Sequence, residues 1–434
     1  MKTLLKVLLL LIVIAFPATQ AFGSFSFHAD EIAGRQDLRW RSKVVRLALS
    51  RSMLGDVQNI KFGTDVNAAL ERSLLTWEAA TGIRFEIVRS DRASVSPAAS
   101  AGDGISLITI APTAENIQFL GPGILEFPGA TRVFFDRNGR ITEGDIVLNP
   151  IHQFSSDGTF GTFDLESVLT HEIGHLLGIG HSDIPGAVMS EQLRANGIFG
   201  RANFGGRVLT PVDLALVRSV YGNAVGTEDC CASIAGQLIN FRDDQPIVGF
   251  VWIEDPETNL IVGSAPVLGD GSYSVDGLVA GNYSAYFNGR SGDLGINQRI
   301  GTVEVKNGEV DKSTTQLKLP VIGPQLESGG LNGEVVKTSI AASAGSRLTI
   351  SVGGRDLRLE DVYLGLASPF FTVVPSTFNA WVAPDGSTVI SFDVLIDPET
   401  EPGSYSLIAE SKNRVRTYLP GAITVHRQNT APSK

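Results

Sequence analysis

Leu165, Leu169, Ile173 and Leu176 recur at intervals of three and four residues, the spacing that lines one face of a helix. Asp164 stands before the run as an N-cap, and Glu166 lies in the first turn, where the helix dipole favours an acid. Leu70, Leu74 and Trp77 make a second helical stripe within Val66 to Ala80, which stops at Gly82. A third helix is written over Leu209 to Gly222, with Thr210 as N-cap, Pro211 at the first helical position, Asp213 in the first turn and Gly222 as terminator. Before the helix at 66, Val44 to Leu49 has strand character, as do Phe85 with Ile87 and Ile105 to Ile110 after it, and Ser94 to Gly104 is small and polar like a surface loop. These elements predict a twisted sheet with a helix behind it, followed by the helix at 165.

After Gly222 the pattern changes to short alternating runs between turn signals. Leu238-Ile239, Phe250 to Ile253, Leu260 to Val262, Tyr273 to Val275, Tyr283 to Phe287 and Val303 to Val305 predict an all-β sandwich over 233–318. Leu319 to Asn332, with two prolines and several glycines, reads as a linker. Strands at Leu348 to Val352, Val362 to Leu364, Phe371 to Val374, Thr388 to Leu395, Tyr405 to Ala409 and Ala422 to His426 then predict a second sandwich over 333–427. The expected fold class is multidomain, an α+β domain over 36–222 followed by two all-β sandwiches; 434 residues suit three domains.

The N-terminus changes where this protein is expected to work. Lys2 and Lys6, the apolar run Leu8 to Phe16 and small residues from Ala18 to Ala21 read as a signal peptide over 1–21. The mature protein is expected to be secreted, extracellular or periplasmic, with no membrane span. A net charge of −11 argues against a nucleic-acid partner. The only two cysteines, Cys230 and Cys231, are adjacent and fall in the expected linker, where a vicinal disulfide, free thiols and intermolecular pairing are all open readings.

The chemistry is concentrated in His171-Glu172-Ile173-Gly174-His175-Leu176-Leu177-Gly178-Ile179-Gly180-His181, which holds three of the six histidines. On a helix His171 and His175 stand one turn apart on one face, so both imidazoles can reach one zinc ion at about 2.0–2.1 Å. Gly178 tolerates the positive φ needed for a sharp turn, which returns His181 as third ligand. Three protein ligands leave the fourth position open, as a catalytic zinc site requires. Glu172 lies beside the ligands, placed to take a proton from water that the metal has made acidic.

With these residues in view, the chain resembles the matrixins, the matrix-metalloproteinase branch of the metzincin zinc endopeptidases. The likeness is carried by the long histidine motif, by Ser182 directly after it, and by Ala187-Val188-Met189, in which Met189 lies eight residues past His181. It implies one catalytic zinc, a Met-turn at Met189, and peptide hydrolysis with Glu172 as general base. It also implies that Asp145 to Asn149 is an edge strand, along which a protein or peptide substrate would pair near Ile146, Val147 and Leu148. Calcium is a further candidate ion, although Asp136-Arg137-Asn138-Gly139 fits a hairpin turn better than a calcium loop.

Departures from the family pattern are as informative. No cysteine precedes the motif, so the thiol that keeps matrixin zymogens latent has no counterpart; either there is no latency, or a short stretch such as His28 to Glu31 covers the zinc. Ser190 and Glu191 stand where the family places a proline-containing wall of its specificity pocket, and His152 reads as a surface-loop residue rather than a second metal's ligand. Asp270 to Val275 with Gly277 to Tyr283 resembles a carboxypeptidase-regulatory or prealbumin-like module, and the last domain an immunoglobulin-type sandwich. These β domains either space the protease or bind a surface or matrix ligand. The alternative to a protease is an exported adhesin or matrix-binding protein built on an inactive metzincin scaffold.

Overall fold

The computed structural model describes residues 23–26, 38–97, 100–121, 124–222, 230–240, 247–291, 294–317, 323–384 and 386–427. The expected signal segment at 1–21 and the stretch His28 to Glu31 lie outside these residues.

The first domain is a six-stranded sheet backed by helices. Its strands are β1 (Gly23–Ser26), β2 (Val44–Ser50), β3 (Arg84–Ser90), β4 (Ser106–Thr109), β5 (Gly129–Phe135) and β6 (Ile141–Leu148), in the order β1-β5-β6-β4-β2-β3. The helices are α1 (Val66–Thr81), α2 (Ala114–Leu120), α3 (Leu165–Leu176) and α4 (Pro211–Tyr221). Asp65 caps α1 by accepting the Ala68 N–H at 3.0 Å, and Gly82 ends it with φ +66°. Leu47, Leu49, Leu70 and Trp77 share one core with Leu165, Leu169, Ile173 and Leu176, so the apolar stripes of α1 and α3 meet over the sheet. The Trp77 indole N–H also donates to the Thr170 carbonyl at 2.7 Å and ties the two helices together.

One expectation is overturned here. The resemblance implies an edge strand over Asp145 to Asn149, with Ile146, Val147 and Leu148 meeting the substrate, yet β6 is an interior strand. Ile146 is paired with Ile108 on one side and Thr131 on the other, and Val147 with Thr109 and Ala130. All three side chains are fully buried. A strand with ladders on both sides has no backbone to offer a peptide. The unbroken run Ile146-Val147-Leu148 is what a strand covered on both faces requires. The strand outside it is β5, whose outer side is paired with β1 at Arg132 to Phe135.

The chain then builds two sandwiches. In the first, strands at 261–267, 248–254, 281–291 and 294–305 face a sheet of 272–279, 230–240 and 310–317, with Val251, Tyr273 and Phe287 between them. Cys230 and Cys231 open the strand at 230–240 as a disulfide rather than lying in a linker. In the second, strands at 325–331, 347–355, 388–396 and 371–382 face 340–343, 416–426, 403–411 and 362–366 around Ile350, Phe392 and Tyr405.

The three units share a buried apolar junction. Ile184 and Val212 from the first domain pack with Trp252, Ile261 and Tyr286 from the second and Tyr418 from the third. The Tyr286 ring lies 5.0 Å from both Trp252 and Tyr418. Glu254 is buried at the same boundary, where its Oε1 accepts the Trp252 indole N–H at 2.9 Å and the Ser406 hydroxyl at 2.7 Å. Ile184 lies between His181 and Met189 in sequence, so the β domains pack directly against the loop that carries the third histidine.

Candidate metal centre

Helix α3 is fixed at both ends. Asp164 accepts the Ser167 N–H at 3.0 Å and pairs with Arg207 at 2.6 Å, and Glu166 pairs with Arg72 at 2.7 Å. At the other end the Leu176 carbonyl receives the Trp40 indole N–H at 2.8 Å, and the Leu177 carbonyl receives the Tyr221 hydroxyl at 2.6 Å. These partners satisfy carbonyls that a helix C-terminus leaves open. Gly178 follows at φ +86°, and a Cβ there would overlap the Leu38 carbonyl oxygen. Both the turn and the close approach therefore demand glycine.

The turn brings the three histidines together. His175 Nε2 lies 3.0 Å from His171 Nε2 and 3.0 Å from His181 Nε2. Tetrahedral ligands at the zinc–nitrogen distance would stand about 3.3 Å apart, so the three nitrogens are spaced for one ion. His171 Nδ1 is 2.7 Å from the Val188 carbonyl and His175 Nδ1 is 2.8 Å from the Ile179 carbonyl. A carbonyl can only accept, so each Nδ1 carries the proton and each Nε2 turns a lone pair toward the centre. Burial pushes His171 down to about 3 and His181 to about 4, and lowers His175 as well. Neutral imidazole is the form that binds metal.

Glu172 lies beside this triad and is itself buried. Its Oε2 accepts the Thr131 hydroxyl at 2.6 Å. Burial raises its pKa to about 8, and the Thr131 hydrogen bond opposes that rise. Gly129 is placed so that a Cβ would stand 2.9 Å from Glu172 Oε1. The start of β5 thus runs directly over the carboxylate.

Met189 is fully buried beneath α3, and a Cβ on Gly174 would overlap its sulfur. The glycine inside the histidine motif is needed for this contact, not for flexibility. Asp213 holds the turn: one carboxylate oxygen accepts the Val188 N–H at 3.0 Å and the other the Met189 N–H at 3.0 Å. Sequence reading placed Asp213 only as a first-turn acid of α4. Thr131, Trp40 and Tyr221 carried no local signal, because their roles depend on contacts made far along the chain.

Among the described residues His171, His175 and His181 are the one group of three or more His, Cys, Asp or Glu whose ligand atoms converge. His152 is elsewhere, partly buried with its ring edge-on to Phe163 at 4.9 Å.

Residues 124–222, the span that contains β5, β6, α3 and α4, match the matrixin peptidase family (Peptidase M10). The first domain is matrixin-like. Over 164 residues the chain is 29% identical to Metalloendoproteinase 1-MMP of Arabidopsis thaliana, covering 36% of this chain and 39% of that protein. Over 172 residues it is 29% identical to Metalloendoproteinase 1 of Glycine max, covering 38% of this chain and 49% of the relative. The chain therefore spans less than half the length of these two relatives. Among solved structures, the major pilin subunit BcpA of Bacillus cereus is 12% identical with a TM-score of 0.19, covering 45% of this chain and 69% of that one. A score that low supports no argument from shape. The matrixin-like domain and the two β sandwiches together make a multidomain protein. No helix of the described residues is long and apolar enough to cross a membrane.

Proposed function

We propose that this protein is a zinc-dependent endopeptidase that works after export, with His171, His175 and His181 as ligands of a single catalytic zinc and Glu172 as general base. The observation that carries the reading is the pairing of a protonated Nδ1 with a backbone carbonyl on both His171 and His175, which commits their Nε2 lone pairs to one point. When bound, zinc supplies Lewis acidity, lowering the pKa of water and polarising a carbonyl.

The chain's own residues do the rest. Thr131 occupies Glu172 Oε2, which leaves Oε1 to accept the proton of the attacking water and return it to the leaving amine. Gly129 keeps the space over Oε1 open. A peptide would pair along the outer side of β5 at Gly129 to Thr131, which carries no strand partner among the described residues. Met189, held by Asp213, forms the floor beneath the ligands.

The test is peptide release from casein by the mature chain beside Glu172→Ala, both in zinc-replete buffer. Cleavage lost in the variant at unchanged zinc content supports the peptidase. Equal proteolysis by both forms would remove Glu172 from the chemistry.

A further inference from the structure

The three histidines are not held alike. His171 and His175 are mounted on α3, which is fixed at both ends, whereas His181 lies beyond Gly178 on no helix or strand. Its position is set by the loop that runs on to Met189. That loop is closed on itself, since the Ser182 N–H donates to the Met189 carbonyl at 2.7 Å and the Ala187 N–H to the Ile184 carbonyl at 3.2 Å.

The tip of the loop, Ile184 to Gly186, is seated on the third domain. Gly421, in the strand at 416–426, has φ +64°, and a Cβ on it would stand 2.7 Å from the Pro185 carbonyl oxygen and 2.8 Å from Ile184 Cγ2. From the other side, a Cβ on Gly186 would overlap Thr424 Oγ1, which is itself held by Ser339 Oγ at 2.6 Å. Glycine against backbone is a contact with no flexible side-chain end to give way, so the tip and the strand move as one.

The same domain also meets the support of the loop's far end. A Cβ on Gly403 would stand 3.1 Å from Pro211 Cδ, at the first position of α4. Thr210 and Asp213 close the capping box around that proline, and Asp213 accepts the Val188 and Met189 N–H groups. The third domain therefore touches the loop at its tip and touches the helix end that anchors its return.

We infer that the third domain is a buttress of the metal centre, with Gly421 and Thr424 as positioning residues that fix the tip of the loop from His181 to Met189 and, through it, the third ligand. The inference rests on the zinc reading of the triad and adds that the last sandwich belongs to the apparatus that holds the ion. A ligand must be kept within about 0.5 Å of its working position. Retreat of the third domain from Pro185 loosens His181 while His171 and His175 stay on their helix, so the centre loses one particular ligand first.

The experiment uses the full mature chain with Gly421→Ala, and with Gly345→Ala as its control. Gly345, in the same domain, has φ +76° and the same backbone penalty for a side chain, yet its Cβ would meet only Pro398, at 3.7 Å. The zinc Kd, measured by chelator competition, should rise about tenfold or more in Gly421→Ala, the usual effect of losing a group that orients a ligand. In Gly345→Ala it should keep the parent value even where both variants melt at the same reduced temperature. Cobalt(II) loaded in place of zinc should show a changed visible absorption band in Gly421→Ala alone, because that band follows ligand number and geometry. Thr424→Ala should weaken zinc binding in the same direction and Thr424→Ser, which keeps the hydroxyl, should restore it; this pair decides the matter if Gly421→Ala does not fold. Parental zinc affinity and an unchanged cobalt band in the alanine variants at 421 and 424 would overturn the buttress, as would an equal loss of affinity in Gly345→Ala. None of these readouts needs turnover. Weakened zinc binding in variants of a parent that cleaves no peptide would keep the buttress and sink the peptidase reading, and a parent that binds no zinc would sink both.

Discussion

The Thr131 hydroxyl donates to Glu172 Oε2 across 2.6 Å, joining β5 to a residue of α3 forty-one positions further along the chain. This bond favours the ionised carboxylate, the form a general base needs.

Thr131→Val should therefore push the Glu172 pKa further up. Loss of one such bond is worth about one pH unit, the equivalent of about 1.4 kcal/mol. The acid limb of the kcat/KM profile is expected to move upward by that amount, while Thr131→Ser retains the parent profile. An unmoved limb in the valine variant would show that the hydroxyl does not govern the base.

Asp213→Asn removes one of two carboxylate acceptors that hold Val188 and Met189. A buried backbone N–H left unpaired costs about 1–3 kcal/mol. Denaturant unfolding should register that loss. Zinc affinity should fall as well, because the Val188 carbonyl orients His171. A variant with reduced stability but parental zinc affinity would limit Asp213 to a structural role.

Acid should act on the metal-free and metal-bound chains in the same direction. Burial lowers all three histidines, His171 to about 3 and His181 to about 4, below an unfolded value of about 6.5. Between about 6.5 and 4 the unfolded chain binds more protons than the folded one, so stability falls as pH falls through that window. Zinc competes with the same protons. Titration from pH 7 to pH 4 should show melting temperature and zinc retention declining together; a flat melting curve for the metal-free chain would contradict the buried neutral triad.

The junction of Ile184, Trp252, Tyr286 and Tyr418 predicts that the domains stabilise one another. Truncation before residue 323 strips Tyr418 from that cluster and exposes apolar surface worth about 1.5–3 kcal/mol for a single large side chain. The shortened chain is expected to melt earlier and to bind zinc less tightly than the full one, since Ile184 lies in the loop after His181. Identical melting would mean the sandwich is independent of the site.

Features under local geometric control are legible in the residues alone. Three histidines and a glycine turn within eleven residues point to one place that could hold a metal, because helix periodicity fixes the faces of His171 and His175 and the backbone freedom of Gly178 permits the return of His181. Alternation and turn signals likewise made the change from an α+β unit to β sandwiches legible after Gly222. The folded chain adds which strand lies outside β6, that Thr131 meets Glu172, that Asp213 reaches back to Met189, and that Thr424 and His426 wall a cavity beside α3. Each of these depends on strand order or on contacts between segments tens to hundreds of residues apart. Ladder pairing and domain packing select such contacts globally, and no short window of residues encodes them.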